Sequence, residues 1–221
     1  MPKLREFAAE IAPVVDAAHV NFHAAARLAP GLLNDLRHTL PLRPLTRANL
    51  ATIYRYATDL GGEVAAHLAD GSLKEDGSGA LHLTPKAAAH VETLYAHHAE
   101  TAARIWPGVA HLAIQVGRIL DAAPRLPGGA LELMAPPYEP PGAPPGLLLF
   151  NRLAALRYSR ADAHAAAWQA AGLTAGEVVN LRSGPLHAEI EHATNVAAAE
   201  PYRMLTERER ADLLTGLKAL I

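Results

Sequence analysis

The sequence predicts a mostly α-helical fold that carries one β-hairpin and ends in a helical bundle. Three observations predict it. Apolar residues recur at steps of three and four over most of the 221 residues. One stretch only, Ser72-Leu73-Lys74-Glu75 and Ala80-Leu81-His82-Leu83 around Asp76-Gly77-Ser78-Gly79, alternates with the period of a strand and turns through glycines. Between residues 123 and 146, eight prolines and four glycines fill half of twenty-four positions, which marks a strap between two helical parts. The expected organisation is therefore residues 1–122, then the strap 123–146, then a C-terminal helical domain 147–221.

Taken in order, Glu6 to Arg27 places Phe7, Ile11, Val14, Val15, Ala18, Phe22 and Ala25 on one face and predicts an amphipathic helix stopped by Pro30 and Gly31. A short helical turn follows over Leu32 to Leu40. Thr46 is a natural N-cap for a helix over Arg47–Ala57, and a second short helix covers Glu63–Ala69 before Gly71. After the hairpin, Thr84-Pro85 caps a long helix reaching about Trp106, with another from Gly108 to Leu120. Within the strap, proline density predicts extended backbone, laid on the surface by Leu131, Leu133, Met134 and Tyr138. Beyond it, helices are expected over 147–171, 174–181 and 185–199, and Thr206 with Glu209 forms a capping box for a last helix.

Composition excludes several classes. A 50% hydrophobic, 19% charged chain of this length buries a real core and is not disordered. Twenty basic against twenty-two acidic residues give a net charge of -2, which argues against gripping nucleic acid by bulk charge. The absence of cysteine removes disulfides, thiol catalysis and cysteine-ligated metals. The opening residues carry acids and a proline where a secretory signal needs a basic stub and an unbroken apolar run, and no run reaches membrane-spanning length, so a cytoplasmic location with no membrane partner is the expectation.

Two short helices around a glycine-containing turn, then a hairpin, then a long helix is the order of a winged helix-turn-helix, whose second short helix enters the DNA major groove. The string over residues 45–94 resembles the MarR-type winged-helix regulators through Leu68, Gly71, Leu73, Asp76, Gly79, Leu83, Thr84 and Pro85. The later LRYSRADAHAAAWQAAGLTAGEV, followed by IEHATNVAAAEPYRML, is similar to C-terminal regions of SalK-like helix-turn-helix proteins. These resemblances imply a homodimeric, double-stranded-DNA-binding transcriptional regulator responsive to a small-molecule effector. The turn DGSG lacks the Asp-Arg-Arg of classical members, so their minor-groove arginine has no counterpart here.

The DNA-contact candidates are Arg47, Thr52 and Arg55 for bases or phosphates, Lys74 and Lys86 at the wing, and Arg43 with Arg37 as a flanking basic rim. From Leu45 to Thr84, Arg47, Arg55 and Lys74 stand against Asp59, Glu63, Asp70, Glu75 and Asp76, a local charge of -2. That acidic balance keeps open a winged helix that binds protein instead of DNA.

Twelve histidines call for a metal test. His19 and His23, four apart on a helix, share a face that a divalent ion can bridge, and one of His90, His97 or His98 would complete a set of the kind found in DinB-type helical bundles. No carboxylate between them supplies a general base, and no cofactor is expected. Farther on, Arg160 and His164 share a face that Glu191 from another helix can meet. This is read as an interhelical salt bridge, with an anion-recognising effector pocket as the alternative. Tyr95, Trp106 and Trp168 are the aromatic candidates for lining that pocket. No nucleophile elbow, Walker loop or dinucleotide fingerprint is present, so the expectation leans away from an enzyme.

Overall fold

The computed structural model describes residues 2–28 and 31–221. It is mostly helical with a small antiparallel sheet. In chain order the elements are α1 (Pro2–Ala26), α2 (Leu32–Leu36), β1 (Leu45–Thr46), α3 (Arg47–Ile53), α4 (Leu60–Ala69), β2 (Leu73–Glu75), β3 (Ala80–Leu83), α5 (Pro85–Ile105), α6 (Ala110–Ala122), α7 (Ala130–Met134), α8 (Pro145–Ala170), α9 (Ala175–Val179), α10 (Pro185–Ala197), a 3-10 turn (Glu200–Met204) and α11 (Glu207–Lys218).

The cap chemistry explains most boundaries. Thr46 accepts from the Asn49 N–H while Asn49 accepts from the Thr46 N–H, a reciprocal box that starts α3. Thr174 with Glu177 and Thr206 with Glu209 do the same for α9 and α11. Thr84 caps α5, and its hydroxyl also donates to the carbonyls of Gly71 and Ser72, which ties the hairpin's base to the long helix. At its other end, α1 finishes with Arg27 in the left-handed region at φ 54°. The stop expected at Pro30 lies outside the described residues.

The expected hairpin is present, with Leu73 and Leu83 on adjacent antiparallel strands; its register sets Leu73 opposite Leu83 and Lys74 opposite His82. Its turn is organised by the Asp76 carboxylate, which accepts from the Ser78 N–H and hydroxyl, the Ala80 N–H and His82. Those bonds, that from the Ser78 hydroxyl first, hold the carboxyl far below its usual range. The expectation of a lone hairpin needs correction: β1 joins β3, pairing Leu45 with Leu81, so the sheet has three strands in the order β1-β3-β2. Two residues are too few to show a period, so only the pairing partner reveals β1.

The strap also departs from expectation. A five-residue helix, α7, stands within it, with Ala130, Leu131 and Met134 buried. Proline density hid it because its N-terminal N–H groups are capped from outside: the Asp162 carboxylate of α8 accepts from Ala130 at 3.0 Å and Leu131 at 2.9 Å. Apart from Pro145 and Gly146, which open α8, the rest of the strap runs without regular structure, as the prolines dictate.

The largest buried cluster combines α1, α5, α6, α8 and α11, including Ile11, Phe22, Val116, Phe150, Leu153 and Leu213, so both sides of the strap share one core. A second cluster, with Leu36, Leu45, Leu50, Val64, Leu73 and Leu81, lies under the sheet, α3 and α4, and α7 contributes Ala130 and Met134 to it. The apolar faces of α1 and α5 are consumed inside the chain: Val20 is the large apolar side chain left exposed on α1 among the described residues.

The packing of α8 on α5 depends on Gly146, where an added Cβ would lie 2.9 Å from the Ala102 Cβ. Gly146→Val is accordingly expected to cost about 1–3 kcal/mol by overpacking. Urea denaturation checks this, and an unchanged midpoint would show that the crossing can open without loss.

Candidate functional site

The best-formed cleft, about 400 Å³, lies between α1, the chain leaving α3, α8, α10 and the 3-10 turn. Three guanidiniums and a histidine enter it. Arg157 and Arg160 stand on α8 with His164 one turn further on, and Arg55 comes from just after α3. Each arginine meets a carboxylate: Arg55 to Asp162 at 2.6 Å, Arg157 to Asp16 at 2.5 Å, Arg160 to Glu191 at 2.9 Å. Arg160 also donates to the Asn195 side chain at 2.6 Å. His164 Nδ1 lies 3.2 Å from the Thr194 hydroxyl and 3.7 Å from Glu191. Burial lowers the His164 pKa, and Glu191 opposes that shift.

The anticipated meeting of Arg160 and His164 with Glu191 is thus present, as an interhelical ion pair joining α8 to α10. Because the three arginines are matched by three acids, the cleft has little net charge and suits a polar ligand better than a strongly anionic one. Its serine, Ser159, makes no hydrogen bond to His164 among the described residues.

The ligand candidates divide. Arg160 and His164 line the cleft, and Trp168 adjoins it, its indole N–H donating to the hydroxyl of Tyr56 on the wall at 3.1 Å. Tyr95 and Trp106 do not line it. Tyr95 is buried and donates to the carbonyls of Arg37 and Tyr138, while Trp106 packs on Phe22 with ring centroids 4.8 Å apart. Their helical spacing could not distinguish a pocket wall from the core.

Most of the DNA-contact candidates are engaged internally. Arg55 is a correction: its side chain is 13% exposed and its charge is spent on Asp162. Arg43 is another, since its guanidinium donates to the carbonyls of Leu133, Ala135 and Pro136 and so fastens the strap. Arg37, expected on a basic rim, is fully buried. Arg47 is exposed but forks onto Glu75 through Nε at 3.1 Å and Nη2 at 2.9 Å. Thr52 is half-buried, with its hydroxyl turned back to the Ala48 carbonyl. Lys86 donates to the Asp70 carbonyl at 2.6 Å, and Lys74 is exposed on β2 without an ion pair among the described residues. Meanwhile α4 presents Gly61, Gly62, Glu63, Ala65, Ala66 and Ala69 to solvent, followed by its exposed C-cap Asp70, a surface of small and acidic residues.

For the metal set, the rings of His19 and His23 are edge-to-face with centroids 4.7 Å apart, and His98 lies 6.1 Å from His23. His97 instead bonds the Ala26 carbonyl, and His90 is exposed. No group of three His, Cys, Asp or Glu among the described residues is arranged to hold a metal ion. Nor is any described helix long and apolar enough to cross a membrane.

Two features escaped sequence reasoning. Asp162 ties three elements together through one carboxylate, and Arg37 sits in the interior amid histidines. An acid four positions from neither partner in the chain gives no sequence signal, and Arg37 follows a leucine-rich turn that could equally face water.

Comparison with protein-family models, curated proteins and solved structures finds no match for this chain.

Proposed function

We propose that residues 32–84 form a winged helix-turn-helix and that the chain is a ligand-responsive regulator, with DNA as the partner of the winged unit. The observation that carries this reading is the order α2-β1-α3-α4-β2-β3 with the sheet β1-β3-β2, in which Leu73 pairs with Leu83 and Leu45 with Leu81. In that arrangement α4 is the reading helix and the Asp76–Gly79 turn is the tip of the wing. Arg47, Lys74 and Lys86 are the exposed cations near it and would meet phosphates, with Arg47 exchanging Glu75 for DNA.

The effector belongs in the cleft, against Arg160 and His164. Arg55 and Tyr56 stand on its wall immediately before α4, so an occupant touches both the helical body and the support of the reader. A ligand that binds better to one placement of α4 shifts the population toward it. A homodimer, required to span two half-sites about 34 Å apart, belongs to the same proposal.

A second reading is favoured by the charge on α4. Its exposed face carries Glu63, with Asp70 at its C-cap, and no lysine or arginine, and Asp59 and Asp76 are close by in sequence. Such a face suits a basic protein surface and repels phosphate. Binding to a pool of genomic DNA fragments at 50 and 200 mM salt separates the two. Under the DNA reading, affinity falls steeply with salt, and Lys74→Ala and Lys86→Ala each reduce the log–log slope by about 1. Absence of retained fragments at 50 mM salt overturns DNA binding and leaves the protein-interaction reading.

A further inference from the structure

Arg37 is 0% exposed, at the end of α2. One of its nitrogens, Nη1, donates to the Asn34 carbonyl. Nε and Nη2 are buried without a hydrogen-bond partner, and no carboxylate forms an ion pair with this guanidinium among the described residues. Its guanidinium carbon lies 5.3 Å from the centroid of the Phe150 ring. A cation over a ring recovers only part of what a buried charge loses by leaving water.

The same ring gathers four imidazoles. His19, His23 and His98 have centroids 5.2, 5.1 and 5.1 Å from Phe150, and His38 lies at 6.3 Å. Nδ1 of His38 and both ring nitrogens of His98 are buried and unpartnered. Burial is the first cause lowering the pKa of all four imidazoles. The fixed charges acting on the cluster are those of Arg37, of Arg157, whose Nη1 lies 3.1 Å from His19 Nδ1, and of Asp35, whose carboxylate acts on Arg37 without forming an ion pair. His23 is half-buried and marks the side on which the cluster approaches solvent.

The chain shows twice what the vacant edge of Arg37 accepts. In Arg47 the pair Nε and Nη2 holds Glu75, and in Arg152 it holds Glu139 at 2.7 and 2.9 Å. Both are planar carboxylates bound in a fork. We propose that the interior between α1, α2, α5 and α8 is a binding site for a small planar monoanion of the carboxylate type, seated on the Nε–Nη2 edge of Arg37 and bonded by His38 and His98. The Nε–Nη2 edge is a planar fork that matches the two coplanar oxygens of a carboxylate, so such an anion is favoured over tetrahedral phosphate. This site is separate from the cleft at Arg160 and does not depend on the winged-helix reading.

The test is thermal unfolding of the full chain in formate, acetate, bicarbonate or phosphate against chloride at equal ionic strength and pH 7.5. At about a hundredfold excess over Kd, formate or acetate is expected to raise Tm by about 5 °C. Arg37→Met, which fills much of the same space without charge, is expected to keep a cooperative transition and lose the shift. Should that variant not fold, broadening of the carbon-13 formate resonance by the wild-type chain, reversed by unlabelled acetate, serves in its place. A larger shift with bicarbonate than with acetate keeps the site and assigns it to an inorganic monoanion. Equal Tm in carboxylate and chloride, a full shift retained in Arg37→Met, a larger effect of phosphate, or an unbroadened formate signal each overturns the proposal.

Discussion

Asp162→Ala is expected to destabilise the chain by about 3–5 kcal/mol, the range for removing one member of a buried ion pair. The carboxylate is 6% exposed and accepts three bonds: from Arg55 Nη2 at 2.6 Å, from the Ala130 N–H at 3.0 Å and from the Leu131 N–H at 2.9 Å. Alanine would strand a guanidinium that is itself 13% exposed, together with two N–H groups at the start of α7. Those are the cases in which the surviving partner bears the full desolvation cost. Asp162→Asn keeps the size and one acceptor oxygen, so its loss should be nearer 2 kcal/mol, roughly one charged hydrogen bond. Since the second residue's charge is no longer buried opposite nothing, adding Arg55→Ala to Asp162→Ala should cost less than the sum of the two single changes. Urea unfolding of the four proteins measures this. A loss below about 1 kcal/mol for Asp162→Ala would mean that water reaches these groups.

Acidification is expected to weaken the fold steeply below pH 6.5. Burial first, then the neighbouring charge of Arg157, brings the His19 pKa from 6.5 down to about 2. Burial and then Arg37 bring His98 from 6.5 to about 3. Above pH 6.5 neither state binds these protons, so the two sites exact no penalty. Below it, the unfolded chain takes up protons that the folded chain refuses, and stability falls until the folded pKa values are reached. Each site contributes about 1.4 kcal/mol per pH unit in that window, so by pH 5 the pair removes about 4 kcal/mol. His38, buried and held well below its ordinary value by the same causes, acts in the same direction. Against the 5–15 kcal/mol typical of folded domains, such a loss brings the unfolding transition close to pH 5. Denaturant midpoints at pH 7.5, 6 and 5 test the slope, and His98→Leu should make it shallower. A stability that is flat between pH 7 and pH 5 would show that these imidazoles protonate without resistance in the folded chain.

Local chemistry was legible wherever it acts on neighbours in the chain. The hairpin follows from the alternation around Asp76–Gly79, and Thr84-Pro85, Thr174 and Thr206 start helices where their capping side chains place them. At the cleft, Arg160 and His164 could be put on one face by helical spacing, and Glu191 followed as a carboxylate within reach on another helix. What escaped was decided by atoms distant in sequence. α7 forms inside a proline-rich strap because a carboxylate 32 residues away caps it. β1 exists because β3 lies beside it. Arg43 and Arg55 carry the composition of a DNA-facing surface, yet the strap carbonyls and Asp162 consume their donors.

The sequence by itself determined the helical class, the hairpin, the caps and the scarcity of cations between residues 45 and 84, because each is set by residue type and near-neighbour spacing. Tertiary structure alone decided which charges are free. A guanidinium looks the same in the sequence whether it faces water, a strap or the inside of a core, and the cost of burying it depends on partners that only folding brings within 3 Å or, for Arg37, leaves out.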